Sequence, residues 1–213
     1  MNSKAAERSA RRHLPHRWLA RLALGATACS ALVTVSVAQQ RPIPNGRLVS
    51  GTLSFDGQAT AGDFTGTTKT VSGKVAGATD LTGVRGWVEA PVQTLKTGNG
   101  KRDKDLNKSM ESDKYPTLRF DLSRVIGRGR SGDSVAVILE GQLRIHGVTQ
   151  QVRLPGSIWF TGTDARVRTD FPLNLKDYRI GGLSKMLGML KMYENIKVHA
   201  DLVFRLDPAA AAS

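Results

Sequence analysis

From Val135 to Leu154 apolar and polar residues alternate almost without error. Val135, Val137, Leu139, Gly141, Leu143 and Ile145 share one phase, and after His146-Gly147 the positions Val148, Gln150, Val152 and Leu154 take up the alternation again. A period of two is the side-chain spacing on one face of an extended strand, which argues against a helix here. The two-residue His-Gly link between two such runs reads as a hairpin turn. Strands with one dry and one wet face belong to antiparallel sheets rather than to a parallel α/β core.

The same pattern recurs along most of the chain. Val49, Gly51, Leu53 and Phe55 fall on one face of "LVSGTLSFDG". Phe64 is out of phase with Val71, Gly73 and Val75, which a mid-strand bulge or bend would reconcile. Further sets are Val84, Gly86 and Val88; Leu118, Phe120 and Leu122; Ala165, Val167, Phe171, Leu173 and Leu175; and Ile196, Val198, Ala200, Leu202, Phe204 and Leu206. About eight strands joined by short links fit a sandwich or an up-and-down barrel, and a barrel leaves no free edge. At about eight strands the interior is either filled by side chains or holds one small ligand. Glycines in the apolar phase, such as Gly51, Gly73 and Gly141, weaken a strand unless a bend or a close neighbour requires them.

Two stretches read as short helices. Gly98 to Pro116 is polar, with Leu106 and Met110 an i, i+4 pair and Pro116 as its stop. Gly181 to Asn195 places Leu183, Met186, Leu187, Leu190 and Tyr193 at helical spacing, an amphipathic helix over the end of the sheet structure. Met186 and Met189 lie here, and their adaptable thioethers suit a pliable cover that touches a ligand.

The N-terminus has a different composition. Lys4, Arg8, Arg11, Arg12, Arg17 and Arg21 are opposed by Glu7 alone, then comes the short apolar run Leu22 to Ala38 ending in Ser36-Val37-Ala38. This describes a cleaved export signal over residues 1–38, with an uncleaved membrane anchor as the competing reading. Neither Arg11-Arg12 nor Cys29 stands in the context of a twin-arginine or lipoprotein signal. Cys29 is the one cysteine, so the remaining chain forms no disulfide and has no thiolate chemistry. Without the leader's six basic and one acidic residue, 25 basic and 17 acidic groups remain, a net charge of +8. The charges are scattered, which suits a basic solvated surface or transient contact with an anionic membrane. Residues 39–46 are a Pro-rich lead-in, 47–207 the folded domain and 208–213 a disordered tail.

Four stretches in order, "VSGTLSFDGQATAGDFTGTTKTVSGKV", "APVQTLKTGNGKRDKDL", "DKYPTLRFDLSRV" and "GQLRIHGVTQQVRLP", resemble the YceI-like family of bacterial lipid/polyisoprenoid-binding proteins. The resemblance spans Leu48 to Leu206. It implies an all-β fold, an extended antiparallel lipocalin-like β-barrel of about eight strands with one or two short helices near its mouth. It also implies a periplasmic or secreted protein whose interior takes a polyisoprenoid, an isoprenoid quinone or another long amphiphile, for transport or sequestration in the envelope.

Strand phase and this resemblance together nominate the lining: Val49, Leu53, Phe55, Phe64, Val88, Leu118, Phe120, Val137, Leu139, Leu143, Phe171, Leu173, Met186, Met189, Val198, Leu202 and Phe204. Lys101, Arg102 and Lys104 are the candidates for an anionic or quinone headgroup at the mouth.

Motifs for other chemistry are lacking. The chain has no His-x-x-x-His pair, Cys cluster, Gly-x-Ser-x-Gly elbow or phosphate-cradling loop, so no catalytic residue and no metal ligand is nominated. No cofactor is expected beyond a bound isoprenoid or other lipid, and the chain reads as a binding protein, not an enzyme. His146 reads as a turn residue, His199 as exposed on the wet face of the last strand. Asp103, Asp105 and Asp113 alternate with Lys101, Arg102, Lys104 and Lys108, which suits a solvated ion-pair network. Trp87 and Trp159 do not alternate with basic residues on one face, so a nucleic-acid partner is not expected. A structural, stress-associated envelope barrel with a filled core is the rival reading. Sequence leaves the oligomeric state open.

Overall fold

A computed structural model describes residues 42–60, 62–181 and 192–208. The expected leader, the tail beyond Pro208, and Met186 and Met189 lie outside the described residues. Nine strands form one antiparallel sheet: β1 (Gly46–Gly57), β2 (Phe64–Thr68), β3 (Ser72–Ala76), β4 (Arg85–Pro91), β5 (Thr117–Ser131), β6 (Ser134–Ile145), β7 (Val148–Thr161), β8 (Asp164–Asn174) and β9 (Asn195–Leu206). The sheet closes because β1 also pairs with β9, from Gly46 opposite Leu206 to Asp56 opposite Lys197. β2 and β3 pair with successive parts of the other edge of β1 and act as one interrupted stave, so the barrel has eight.

The phase conflict between Phe64 and Val71 is resolved by that interruption: the strand breaks at 69–71 rather than bulging. A bulge does occur in β1, where the register with β9 shifts between Leu48 and Ser50. It turns Val49 outward, 42% exposed, so Val49 is not a lining residue. β5 runs on past the expected "TLRFDL" to Ser131, with shifts at Leu122/Arg124 and Gly127/Gly129. The link between β6 and β7 is the expected two-residue turn. Both residues have positive φ, 51° at His146 and 73° at Gly147, matching the right-handed twist of the flanking strands.

The first expected helix is α1 (Gly100–Ser109), capped by the Asn99 side chain on the amides of Lys101 and Arg102. Residues 182–191 of the second expected helix lie outside the described residues; at its expected end Met192 makes a bridge to Ala59, the Tyr193 amide donates to the Gln58 carbonyl, and Asn195 begins β9. A 3-10 turn at Leu175–Tyr178 follows β8.

The interior is dry at both ends. At the end carrying α1 and the β6–β7 turn, Val92, Met110, Leu143, Ile145, Leu173, Leu175, Tyr178 and Ile180 form one packed cluster. Toward the β5–β6 turn, Val84, Val125, Val137, Leu139, Leu154 and Ile158 form another. Phe120, Val152 and Phe171 pack against both.

Candidate functional site

Along the barrel axis lies a cavity of about 240 Å³ with an almost wholly apolar wall. Every stave contributes, because period-two phase sends alternate residues of each strand inward. Leu53 and Phe55 come from β1, Val88 from β4, Leu118 and Phe120 from β5, and Leu139 and Leu143 from β6. Phe171 and Leu173 of β8 and Val198, Leu202 and Phe204 of β9 complete the nominated set on the wall. The volume is just under the roughly 300–1,000 Å³ of clefts that enclose drug-sized ligands. As it stands, the space is smaller than a whole long-chain molecule.

Two nominated residues keep the inward phase but leave the wall. Val137 is 2% exposed in the cluster near the β5–β6 turn, whose other members, such as Val125, Leu139 and Ile158, line the cavity in its place. Phe64 lies at the opposite rim, edge-on to Phe55 with 6.0 Å between ring centroids. The Arg102 guanidinium covers its ring at 4.2 Å. Residues outside the nominated lining also border the cavity. Leu95, Ile180 and Met192 come from connecting segments with no alternation to reveal them, and Ala90 and Ala200 follow the inward phase but are small.

The nominated basic groups do not converge on the cavity. Lys101 and Lys104 are exposed on α1, and Arg102 is engaged with Phe64. Nor do the acidic residues there form the expected network. The Asp103 carboxylate accepts from the Thr97 amide at 2.8 Å and hydroxyl at 2.7 Å, which holds its carboxyl below the ordinary range and clamps the loop before α1. Asp113 accepts from the Gln93 side chain.

Most of the ion pairs are arranged on the outside, and the Arg119–Glu89 pair also borders the cavity. Arg119 of β5 donates to Glu89 at 2.9 Å and to Asp121 at 2.8 Å, and lies over the Trp87 ring at 4.7 Å. Asp201 accepts from both Arg166 and Arg168, and Arg205 pairs with Asp164. His199 is not simply exposed: its Nε2 meets Asp56 at 2.9 Å and its Nδ1 meets Asp170, tying β9 to β1 and β8. These hydrogen bonds, first from Asp170 and then from Asp56, raise its pKa above the ordinary histidine value.

His146 is largely covered at the α1 end. Its Nδ1 lies 3.1 Å from the Tyr178 carbonyl and its ring packs edge-on against Tyr115 at 4.7 Å. Gly147 is required here, since a side chain would enter the Tyr115 ring. Burial pushes the Tyr178 hydroxyl up to about 12, with Asp177 adding to the effect. Among the described residues no group of three His, Cys, Asp or Glu side chains could hold a metal.

A second, polar cavity of about 340 Å³ lies in the barrel wall itself. The ladder between β7 and β8 runs from Thr161–Asp164 only to Gly156–Thr169. Beyond that point β7 pairs with β6 alone and β8 with β9 alone, so the two strands part. Pro155 and Pro172 sit in the parted stretches and offer no backbone donor, as expected of residues on a strand edge.

The sequence profile of the YceI-like domain matches residues 47–204. Among solved structures, BcnA of Burkholderia cenocepacia superposes with a TM-score of 0.61 at 15% identity, covering 72% of this chain and 95% of that one. A polyisoprenoid binding domain from Saccharophagus degradans implicated in plant cell wall breakdown gives 0.64 at 14% identity, covering 78% and 99%. At such identities the likeness speaks to the fold alone. No curated protein matches the chain in sequence.

Proposed function

The chain belongs to the YceI-like domain family, and from that premise we propose that it binds a long apolar amphiphile, a polyisoprenoid, isoprenoid quinone or similar lipid, with its tail inside the barrel. The observation that carries this reading is the axial cavity, which lies inside the barrel and is walled by aliphatic and aromatic side chains. A hydrocarbon tail leaving water for such a space gains about 0.8 kcal/mol per methylene, so a few isoprene units suffice for tight retention. The similarity to a domain described as polyisoprenoid binding points the same way.

Binding rather than catalysis fits the wall. The two charged residues that reach it, Glu89 and Arg119, are bound to each other, and no acid/base pair converges on the cavity among the described residues. The basic leader and the small-residue motif before Gln39 support export, with the protein carrying or sequestering its lipid in the envelope. The net positive charge supports transient contact with anionic membrane.

Lipid extraction and mass spectrometry of protein purified from a bacterial host tests the reading, together with N-terminal sequencing. The expected result is an isoprenoid in near-stoichiometric amount on a chain starting at Gln39. A lipid-free protein that takes up neither farnesol nor decylubiquinone would instead support the filled structural barrel.

A further inference from the structure

The parted stretch of β7 and β8 adjoins the axial cavity. Leu143, Phe171 and Leu173 line both spaces. Phe171 is half-buried and belongs to the wall between them. Side-chain hydrogen bonds span the seam at its two ends. The Thr169 hydroxyl donates to the Pro155 carbonyl at 2.7 Å, and the Gln150 amide donates to the Asp177 carbonyl at 3.2 Å. Between these ends no strand ladder has to break for the edges to move apart.

The chemistry of the seam differs from that of the barrel. Its polar lining is the amides of Gln150, Gln151 and Asn174 with Asp177 and Tyr178, and neither Lys nor Arg lines it among the described residues. Amides donate and accept, so they serve carbonyl and hydroxyl groups equally. A phosphate there would lie beside Asp177, and among the described residues no cation lines the seam to neutralise it.

We propose that this seam, and not the α1 end of the barrel, receives the head of the bound amphiphile and admits its tail past Phe171, and that the head is uncharged, a quinone or an alcohol. The inference rests on the lipid-binding reading above and assigns its polar subsite. It also accounts for the volume of the axial cavity, which needs a neighbouring space for whatever the tail carries. At the α1 end, by contrast, Arg102 is occupied by Phe64, and Lys101 and Lys104 are exposed on the helix.

The test uses the full chain carrying Cys29→Ser, which then has no cysteine. A small fluorophore is attached either at Gln151→Cys in the seam or at Lys101→Cys on α1. Decylubiquinone, whose head quenches a nearby fluorophore, is expected to quench the seam label strongly and the α1 label weakly. The seam label is expected to slow uptake about tenfold. Unlabelled protein is expected to bind farnesol about tenfold more tightly than farnesyl phosphate, equivalent to about 1.4 kcal/mol. Preferential quenching at Lys101→Cys, or tighter binding of the phosphate, overturns the seam assignment and leaves the carrier reading standing. Binding of none of the three probes overturns the carrier reading itself.

Discussion

The ring of Phe55 on β1 lies over Gly66 on β2, its direct cross-strand partner, and a methyl group added at Gly66 would come within 2.6 Å of the ring Cζ. The arrangement repeats two residues on, where Gly57 faces Phe64. An aromatic ring laid over a cross-strand glycine fills the space that the missing side chain leaves.

Gly66→Ala therefore forces Phe55 off its position and is expected to destabilise the barrel by about 1–3 kcal/mol. Phe55→Leu in the same chain should relieve part of that loss. A urea-denaturation double-mutant cycle checks this, with the two substitutions costing less together than the sum of each alone.

The bulge at Leu48/Ser50 separates two valine and leucine positions that the plain alternation treats alike. Val49→Thr is expected to change stability by no more than about 0.5 kcal/mol, because the side chain faces water. Leu53→Thr puts a hydroxyl on the dry wall and is expected to cost about 1–3 kcal/mol. Equal losses at the two positions would contradict the register.

The pairing of His199 with Asp56 and Asp170 makes stability depend on pH. His199 has a raised pKa, so its contribution is complete below its unfolded value of about 6.5 and is lost as pH rises through the higher folded value. Asp56 has a lowered pKa, caused first by the Thr65 hydroxyl and then by His199. Its contribution is complete above about 3.9 and is lost as pH falls through the lower folded value. Thermal unfolding across pH should show a plateau between about 4 and 6.5, and His199→Gln should flatten the alkaline side.

Ala200 is a small residue on the cavity wall. Ala200→Leu is expected to occupy open space, raise stability by about 1–2 kcal/mol and lower decylubiquinone affinity about tenfold. Calorimetry and ligand titration read the two effects separately. A large loss of stability would mean that the space is already filled.

The barrel and most of its wall could be read from period two, because a closed sheet with one dry face imposes that period on every stave. From Val135 to Ile145 the alternation is unbroken, and Leu139 and Leu143 of that run lie on the wall. Alternation fails to locate Val49, Phe64 and Val137 for three different reasons. A bulge flips Val49, Phe64 lies beyond the end of the cavity, and Val137 is covered by cluster neighbours that reach the cavity in its place. Phase reports which side a residue faces, not how full the space behind it is. Leu95, Ile180 and Met192 come from connecting segments, where there is no period to read. The seam did leave a trace: Pro155 and Pro172 interrupt otherwise regular strands, and proline marks an edge even inside an apparently continuous run.

Those two prolines bear on a hazard that a parted wall creates. Bare strand edges can recruit like edges from other chains and grow into fibres, a danger that complete closure removes. Here the stretches that lack a neighbour within the barrel each carry a residue that cannot donate to an incoming strand, and the exposed Gln151 and Asp170 beside them keep the surface polar. The parted side of the molecule is thus guarded on both of its edges against the pairing that its opening invites.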